Sequence, residues 1–129
     1  MHKKLINPWN WQKERNYEQA IEILAPRKTL YISGQAAIDE NGISSIDEMN
    51  KQLISSIQNL EIVLQKVNYP LNSIVKLTIY TISLEELYPH FHLIQDWIKD
   101  NQIITTLTVI EVKGLFETLK IELDATAVI

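Results

Sequence analysis

The stretch LYISGQ, residues 30–35, decides the fold of this chain of 129 residues. Its first three residues have the composition of a β-strand, and they lead into Ser33-Gly34-Gln35 without the Pro or Asn of an ordinary turn. A glycine there is typical of a strand end where the backbone takes a positive φ or closely approaches another group. We therefore expect Gly34 to end a strand beside a site.

The end of the chain, residues 119–128, alternates apolar and polar side chains. Such alternation predicts a strand with one buried face. The apolar set is Leu119, Ile121, Leu123, Ala125 and Ala127, and the polar set is Lys120, Glu122, Asp124 and Thr126.

Besides residues 119–128, four segments have strand patterns, and one of them contains the start of the LYISGQ stretch. Residues 20–24 and 29–33 are separated by a short turn and predict a hairpin. Residues 74–82 alternate in polarity, and residues 105–112 are rich in β-branched side chains. Each of these last two segments predicts a further strand.

Two segments have helix patterns. Residues 45–67 carry an apolar stripe and begin with the capping-box pair Ser45 and Glu48. A second pair, Ser83 and Glu86, opens another helix. The first stripe is Ile46, Met49, Leu53, Ile57, Leu60, Leu64 and Val67; the second is Leu87, Phe91, Ile94, Trp97 and Ile98, with Pro89 in the first two turns. Both stripes need a sheet to cover, so both helices are expected on one face of it, and subunit assembly would cover the other.

Composition predicts a single globular domain over residues 1–129, with residues 1–16 as an N-terminal arm. The chain has 46% hydrophobic residues, a net charge of −4 and no Cys. These values argue against nucleic-acid binding and exclude disulfides, Cys-ligated zinc and a thiol nucleophile. No signal peptide or membrane span is expected, which favours a cytoplasmic protein. His90 and His92 point to opposite sides of a helix, so no metal site is expected.

Together these patterns resemble the RidA/YjgF family of reactive-intermediate deaminases, also labelled endoribonuclease L-PSP. The resemblance covers residues 17–128 and rests on Ser33-Gly34-Gln35, on Asn59 and Leu64 in the long helix, and on Glu122-Leu123-Asp124-Ala125. It implies a chorismate-mutase-like α+β fold, in which a mixed β-sheet carries two helices on one face. It also implies a homotrimer with a ligand cleft at each subunit interface.

The resemblance further implies which residues form the cleft. Tyr17, Ser33 and Gly34 match ligand-binding positions. Glu122 matches a glutamate that positions or activates water, and is therefore the candidate catalytic residue.

Active family members also carry an arginine that clamps the substrate carboxylate. Its position corresponds here to Leu107, or to Thr106 with a one-residue shift, and a family asparagine falls at Phe91. The two arginines of this chain are Arg15 and Arg27. The chain is therefore expected to be a divergent member without the clamp.

Two functions remain open at this point. The first is a RidA-like trimer that binds a small metabolite and hydrolyses an imine or enamine, with weak or altered substrate preference. The alternative is a non-catalytic ligand-sensing or partner-binding trimer. Neither requires a cofactor, and the expected partners are other copies of the chain and a small metabolite. Trp9 and Trp11 either line the cleft or hold the arm against its own or a neighbouring subunit.

Overall fold

The computed structural model describes residues 2–129. The strands are β1 (His2–Ile6), β2 (Ala20–Leu24), β3 (Thr29–Ala36), β4 (Ile74–Thr81), β5 (Thr106–Glu111) and β6 (Ile121–Val128). The helices are α1 (Met49–Lys66), α2 (Leu84–Leu87) and α3 (His92–Asp100).

The main sheet has four strands in the order β3-β6-β4-β5. Strand β6 is antiparallel to both of its neighbours, whereas β4 and β5 are parallel. The parallel pair is possible because α2 and α3 carry the chain from the end of β4 back to the start of β5. The predicted α+β class with a mixed sheet is confirmed.

The predicted hairpin between β2 and β3 is wrong. Strand β2 pairs antiparallel with β1 in a separate two-stranded sheet, and β3 pairs with β6. The chain turns away after β2 at Ala25, which adopts a left-handed φ of 52°. The next residues, Arg27 and Lys28, then donate backbone hydrogen bonds to Ile129 at the far end of β6. The first part of the expected N-terminal arm is thus strand β1.

Helix α1 and helix α3 pack against one face of the main sheet. Their buried side chains form a single hydrophobic core with the inward residues of β4 and β6. The residues that the sequence placed on the first stripe are buried from Met49 to Leu64, but Ile46 is 86% exposed because it precedes the helix.

The two predicted capping boxes differ in outcome. Ser83 caps α2, and its side chain accepts a hydrogen bond from the backbone of Glu86. The pair Ser45 and Glu48 forms no capping box, because Ser45 precedes the helix and accepts from the backbone of Asp47 instead. The predicted second helix is also divided: a 3-10 turn over Tyr88–His90 separates α2 from α3, since Pro89 cannot donate an α-helical hydrogen bond.

The other face of the main sheet carries no helix from residues 2–129. On β4 and β6 it presents Lys76, Thr78, Tyr80, Glu122, Asp124 and Thr126, which alternate with the core residues. We call this the open face. No helix in residues 2–129 is both long and apolar enough to cross a membrane.

Candidate functional site

Strand β3 contains a β-bulge at Ser33-Gly34. Ile32 pairs with Ala125 and Gln35 pairs with Leu123, so β3 uses one more residue than β6 over this interval. A bulge bends the strand and locally frees its backbone from the regular ladder. The motif that the sequence marked as an unusual strand end is therefore a bulge next to the last strand.

Gly34 lies directly under the side chain of Glu122. A Cβ atom built on Gly34 would overlap the Glu122 carboxylate and stand 2.7 Å from its Cγ, closer than real Cβ contacts allow. Among residues 2–129, the glycine with a positive φ is Gly42 rather than Gly34. Of the two reasons that the sequence offered for this glycine, the structure thus shows close approach.

Asn59 on α1 holds the end of β3 in place. Its amide nitrogen donates to the carbonyl oxygens of Ala36 at 2.7 Å and Ile38 at 3.0 Å. These bonds satisfy backbone acceptors where the strand leaves the sheet. Because Ala36 pairs with Glu122, Asn59 also fixes the strand segment opposite the glutamate.

The open face has two neighbouring carboxylates with different surroundings. The hydroxyl of Tyr80 donates to Asp124 Oδ2 at 3.1 Å, whereas Glu122 forms no side-chain hydrogen bond or salt bridge with another residue of 2–129. The Asp124 hydrogen bond and negative charge, with burial and the charge of Glu122 as further causes, raise the pKa of Tyr80. Tyr80 therefore stays protonated and keeps its hydrogen bond to Asp124. Glu122 is thus the carboxylate of this pair without a hydrogen bond from the described residues.

This pKa shift predicts a pH dependence of stability. Because the pKa of Tyr80 is higher in the folded chain, its contribution is complete below about pH 10, the pKa of a free tyrosine, and is lost as pH rises through the folded value. Tyr80→Phe removes the titrating group. We expect urea midpoints of the wild type to fall more steeply than those of Tyr80→Phe as the pH rises above about 10. Parallel curves would contradict the assignment.

Ser33 is exposed at the edge of a shallow depression of about 290 Å³ on the open face. Lys76 and Asp124 line the same depression. Ser33 is thus next to the Glu122 strand, and a cation lies within the same depression.

Tyr17 lies at another part of the fold, in the loop between β1 and β2. Its ring packs edge-on against Trp11, with centroids 6.5 Å apart, and the guanidinium of Arg15 lies 5.3 Å from the Trp11 ring centre. The backbone of Glu18, the next residue, donates to Thr105 at 2.9 Å. Tyr17 is therefore attached beside the start of β5.

Thr106 and Leu107, at the arginine position, and Phe91, at the asparagine position, have different environments. Thr106 is half-buried, and its hydroxyl donates to the carbonyl of Val75 at 3.3 Å. Leu107 packs against the hydrophobic core, and so does Phe91 between the 3-10 turn and α3. Side chains alternate along β5, so Thr106 lies on the side of the open face and Leu107 on the side of the core.

The candidate residues form two groups within one chain. Thr106 on β5 pairs with Lys76, and Glu122 on β6 pairs with Tyr80, so Thr106 and Glu122 lie two strand spacings apart across the sheet and four residues apart along β4. The first offset is about 10 Å and the second about 13 Å, which puts the Cα atoms of Thr106 and Glu122 about 16 Å apart. We call Ser33, Gly34 and Glu122 the glutamate half-site, and Tyr17 with Thr106 the tyrosine half-site.

Sequence reasoning did not single out Tyr80 and Asp124 as a pair. The signal for it was present, because both belong to the polar sides of two alternating strands. What the sequence lacked was the register that sets Tyr80 opposite Glu122 and two residue pairs from Asp124, on the same face of the sheet.

Comparisons with known sequences identify the family to which the chain is similar. Residues 10–129 match the profile of the family described as Endoribonuclease L-PSP. A RutC family protein of Aquifex aeolicus is 26% identical over 112 residues, which span 87% of each chain. A RutC family protein of Buchnera aphidicola is 29% identical over 112 residues, or 86% of this chain and 85% of the other.

Solved structures have the same fold. YyfB of Yersinia pestis, described as a protein of unknown function of the conserved Rid family, superposes with a TM-score of 0.79 at 25% identity over 100% of both chains. Escherichia coli TdcF, solved with bound serine, superposes with a TM-score of 0.71 at 19% identity over 81% of this chain and 84% of its own.

Proposed function

Because the chain belongs to the endoribonuclease L-PSP family, also known as the RidA/YjgF family, we propose that it hydrolyses an imine or enamine of a small metabolite in clefts between the subunits of a homotrimer. The observation that carries this proposal is the free carboxylate of Glu122, held over the backbone of Gly34. A carboxylate with no protein partner beside an accessible backbone can position a water molecule.

The proposed reaction begins with the protonated imine. Water attacks the imine carbon, and its proton passes to the Glu122 carboxylate as the C–O bond forms. The carboxylic acid then delivers that proton to the nitrogen, the C–N bond breaks, and the hydroxyl proton of the intermediate passes back to the Glu122 carboxylate as the carbonyl product forms. The departing ammonia carries this proton away as ammonium. An enamine enters the same path after protonation at carbon. Glu122 thus serves first as general base and then as general acid.

The trimer in this proposal explains why the half-sites are separate. A distance of about 16 Å within one chain is too long for a small metabolite to touch both. In a closed ring of identical subunits, each contact joins two different surfaces, so the glutamate half-site of one subunit meets the tyrosine half-site of the next. The open face would line the interior of that ring.

The neutral residues on β5 define the expected substrate preference. Thr106 and Leu107 offer no fork of N–H donors for a carboxylate, whereas an arginine binds one through two parallel hydrogen bonds. We therefore expect 2-aminoacrylate to be hydrolysed poorly and imines of less anionic metabolites to be preferred. Ammonia release from freshly generated substrates of both kinds measures this preference.

Mixing two inactive variants tests the shared cleft. Tyr17→Ala and Glu122→Gln each damage one half-site, and each pure variant should be nearly inactive. When equal amounts are unfolded and refolded together, about a quarter of the clefts combine an intact half-site from each variant if subunits assemble at random. Activity should return to about that fraction of the wild type. Mass measured by light scattering should equal three times the 15.0 kDa of one chain.

Two results would contradict the proposal. The first is that the refolded mixture recovers no activity although refolded wild type does recover it. That result would show that the two half-sites do not act together in one cleft. A monomeric mass would remove the intersubunit cleft altogether.

The alternative function, a non-catalytic ligand-sensing or partner-binding trimer, is favoured by the absence of arginine from β5. It predicts that a metabolite raises the unfolding temperature without being consumed, because binding only to the folded state stabilises it. Turnover above the uncatalysed rate would exclude this alternative.

A further inference from the structure

A pocket of about 500 Å³ lies within one chain, between the loop that connects β1 to β2 and the C-terminal end of α3. Tyr17 is the one residue that it shares with the proposed cleft. Because all of its walls come from one chain, it forms without subunit assembly and without Glu122.

The loop that walls this pocket is held by its own hydrogen bonds. Asn7 donates to Glu18 at 2.6 Å and accepts from Gln12 at 2.9 Å and from the backbone of Gln19 at 2.8 Å. Gln12 is only 2% exposed. Asn16, in the left-handed conformation with φ 62°, donates to the carbonyl of Gln95 on α3 at 3.3 Å. This network holds the pocket open in a fixed shape.

The floor of the pocket is apolar and its rim is cationic. Ile98 and Ile103 belong to the hydrophobic core and are 1% and 5% exposed, and the half-exposed Leu5 and Ile104 extend the apolar floor outward. Lys13 and Lys99 are exposed at the rim.

The charged groups of the pocket leave an excess of positive charge. Neither rim lysine forms a salt bridge with a carboxylate in residues 2–129. Glu18, the acidic residue of the lining, already accepts the hydrogen bond from Asn7. The side-chain amides of Asn10 and Gln102 also line the pocket without a hydrogen bond to another residue of that range.

We propose that this pocket binds a small organic anion with an apolar body, of the arylalkanoic or long-chain carboxylic acid class. Its volume falls within the roughly 300–1,000 Å³ that is typical of sites for larger organic ligands. The apolar body would cover the isoleucine floor, and the carboxylate would accept charge-assisted hydrogen bonds from the lysines. Lysine suits this position because its stem can follow apolar surface while its ammonium group stays at the rim.

Trp11 provides a built-in signal for occupancy. It contacts Tyr17, which lines the pocket, and Tyr17 would move or be covered when a ligand enters. We expect 4-phenylbutyrate to change the tryptophan fluorescence of the wild type in a saturable manner. In Trp11→Phe this change should shrink, whereas binding heat measured by calorimetry should remain.

Calorimetric titration with three probes tests the chemical class. The probe 4-phenylbutyrate has both required parts, 4-phenylbutyramide lacks the charge, and acetate lacks the apolar body. We expect saturable binding of the first and at least about tenfold weaker binding of the other two, which corresponds to about 1.4 kcal/mol each. Equal affinity for the amide would overturn the anionic class, and no heat with 4-phenylbutyrate would overturn the site.

Variants locate the binding. Lys13→Gln with Lys99→Gln should weaken 4-phenylbutyrate binding about tenfold or more, and Ile104→Trp, which fills the pocket mouth, should abolish it. The control Lys51→Gln with Lys66→Gln removes the same charge from exposed positions on α1 and should bind as the wild type does. If both lysine pairs have the same effect, the binding reports only net charge and the proposal is wrong.

The result is independent of the proposed deaminase activity. Glu122→Gln should bind 4-phenylbutyrate with unchanged affinity even if it no longer hydrolyses imines. A protein that hydrolyses imines but binds none of the probes would refute this pocket alone, and the reverse result would refute the proposed reaction alone.

Discussion

Glu122→Gln is expected to lower the rate of imine hydrolysis by about 100-fold or more, with the fold unchanged. The reason is that an amide can neither take a proton from water nor return one to nitrogen, and general acid–base catalysis contributes about 10²–10⁴-fold. Glu122 has no hydrogen bond or salt bridge to another side chain in the part of the chain described, so the substitution breaks no such contact. The measurement is ammonia release from freshly generated imines, with circular dichroism to check folding.

Two controls separate this role from a general effect of charge. Glu40→Gln removes one negative charge from an exposed turn and should leave the rate unchanged. Asp124→Asn removes the neighbouring carboxylate, which is occupied by Tyr80, and should lower the rate far less than Glu122→Gln. If Asp124→Asn were the more damaging change, Asp124 would be the proton carrier and Glu122 a neighbouring charge.

Tyr80 should not contribute to the pH dependence of the rate in the neutral range, because its raised pKa keeps it protonated there.

Much of the fold could be predicted because its determinants are local. The alternating residues of β6 have one buried face whatever they pair with, and the stripe from Met49 to Leu64 faces a core in any packing. Pro89 also acted locally, but its effect was greater than expected. The missing N–H divided the predicted helix into α2 and α3.

Strand pairing could not be read from the sequence. The turn at residues 25–28 has hairpin composition, yet β2 and β3 have different partners. Pairing depends on backbone contacts with segments remote in sequence, here β1 and the far end of β6 at Ile129. Nothing in the composition of β2 itself specifies β1.

The candidate site also combines features that the local sequence predicts with features that only strand pairing determines. Gly34 was conspicuous in the sequence because a glycine follows a strand without turn chemistry, but the group above it could not be identified from one stretch alone. The resemblance placed Leu107 at the arginine position, whereas the structure packs its side chain into the core. A one-residue shift on a strand moves a side chain to the opposite face, and register is set only by pairing.

Gly34→Ala is expected to lower imine hydrolysis about 100-fold while costing little stability. The added Cβ would overlap the Glu122 carboxylate, so that side chain must move by an ångström or more, and a 1 Å misplacement of a catalytic group can cost about 100-fold in rate. The φ of Gly34 is one that alanine can adopt, and the atoms that must move are the end of a flexible side chain. The free energy of unfolding should therefore fall by only about 0.5–1.5 kcal/mol, the cost of an unfavourable rotamer.

Combining Gly34→Ala with Glu122→Ala tests whether the contact itself is responsible. Removal of the glutamate side chain beyond Cβ removes every atom that the new methyl group would approach most closely. In the Glu122→Ala background, Gly34→Ala should therefore leave the free energy of unfolding unchanged. The coupling energy between the two substitutions should then equal the whole stability cost of Gly34→Ala in the wild type. Urea unfolding of the four proteins measures this coupling. Additive costs would mean that Gly34 is needed for the bulge backbone, and that the glutamate is positioned by something other than close approach to that glycine.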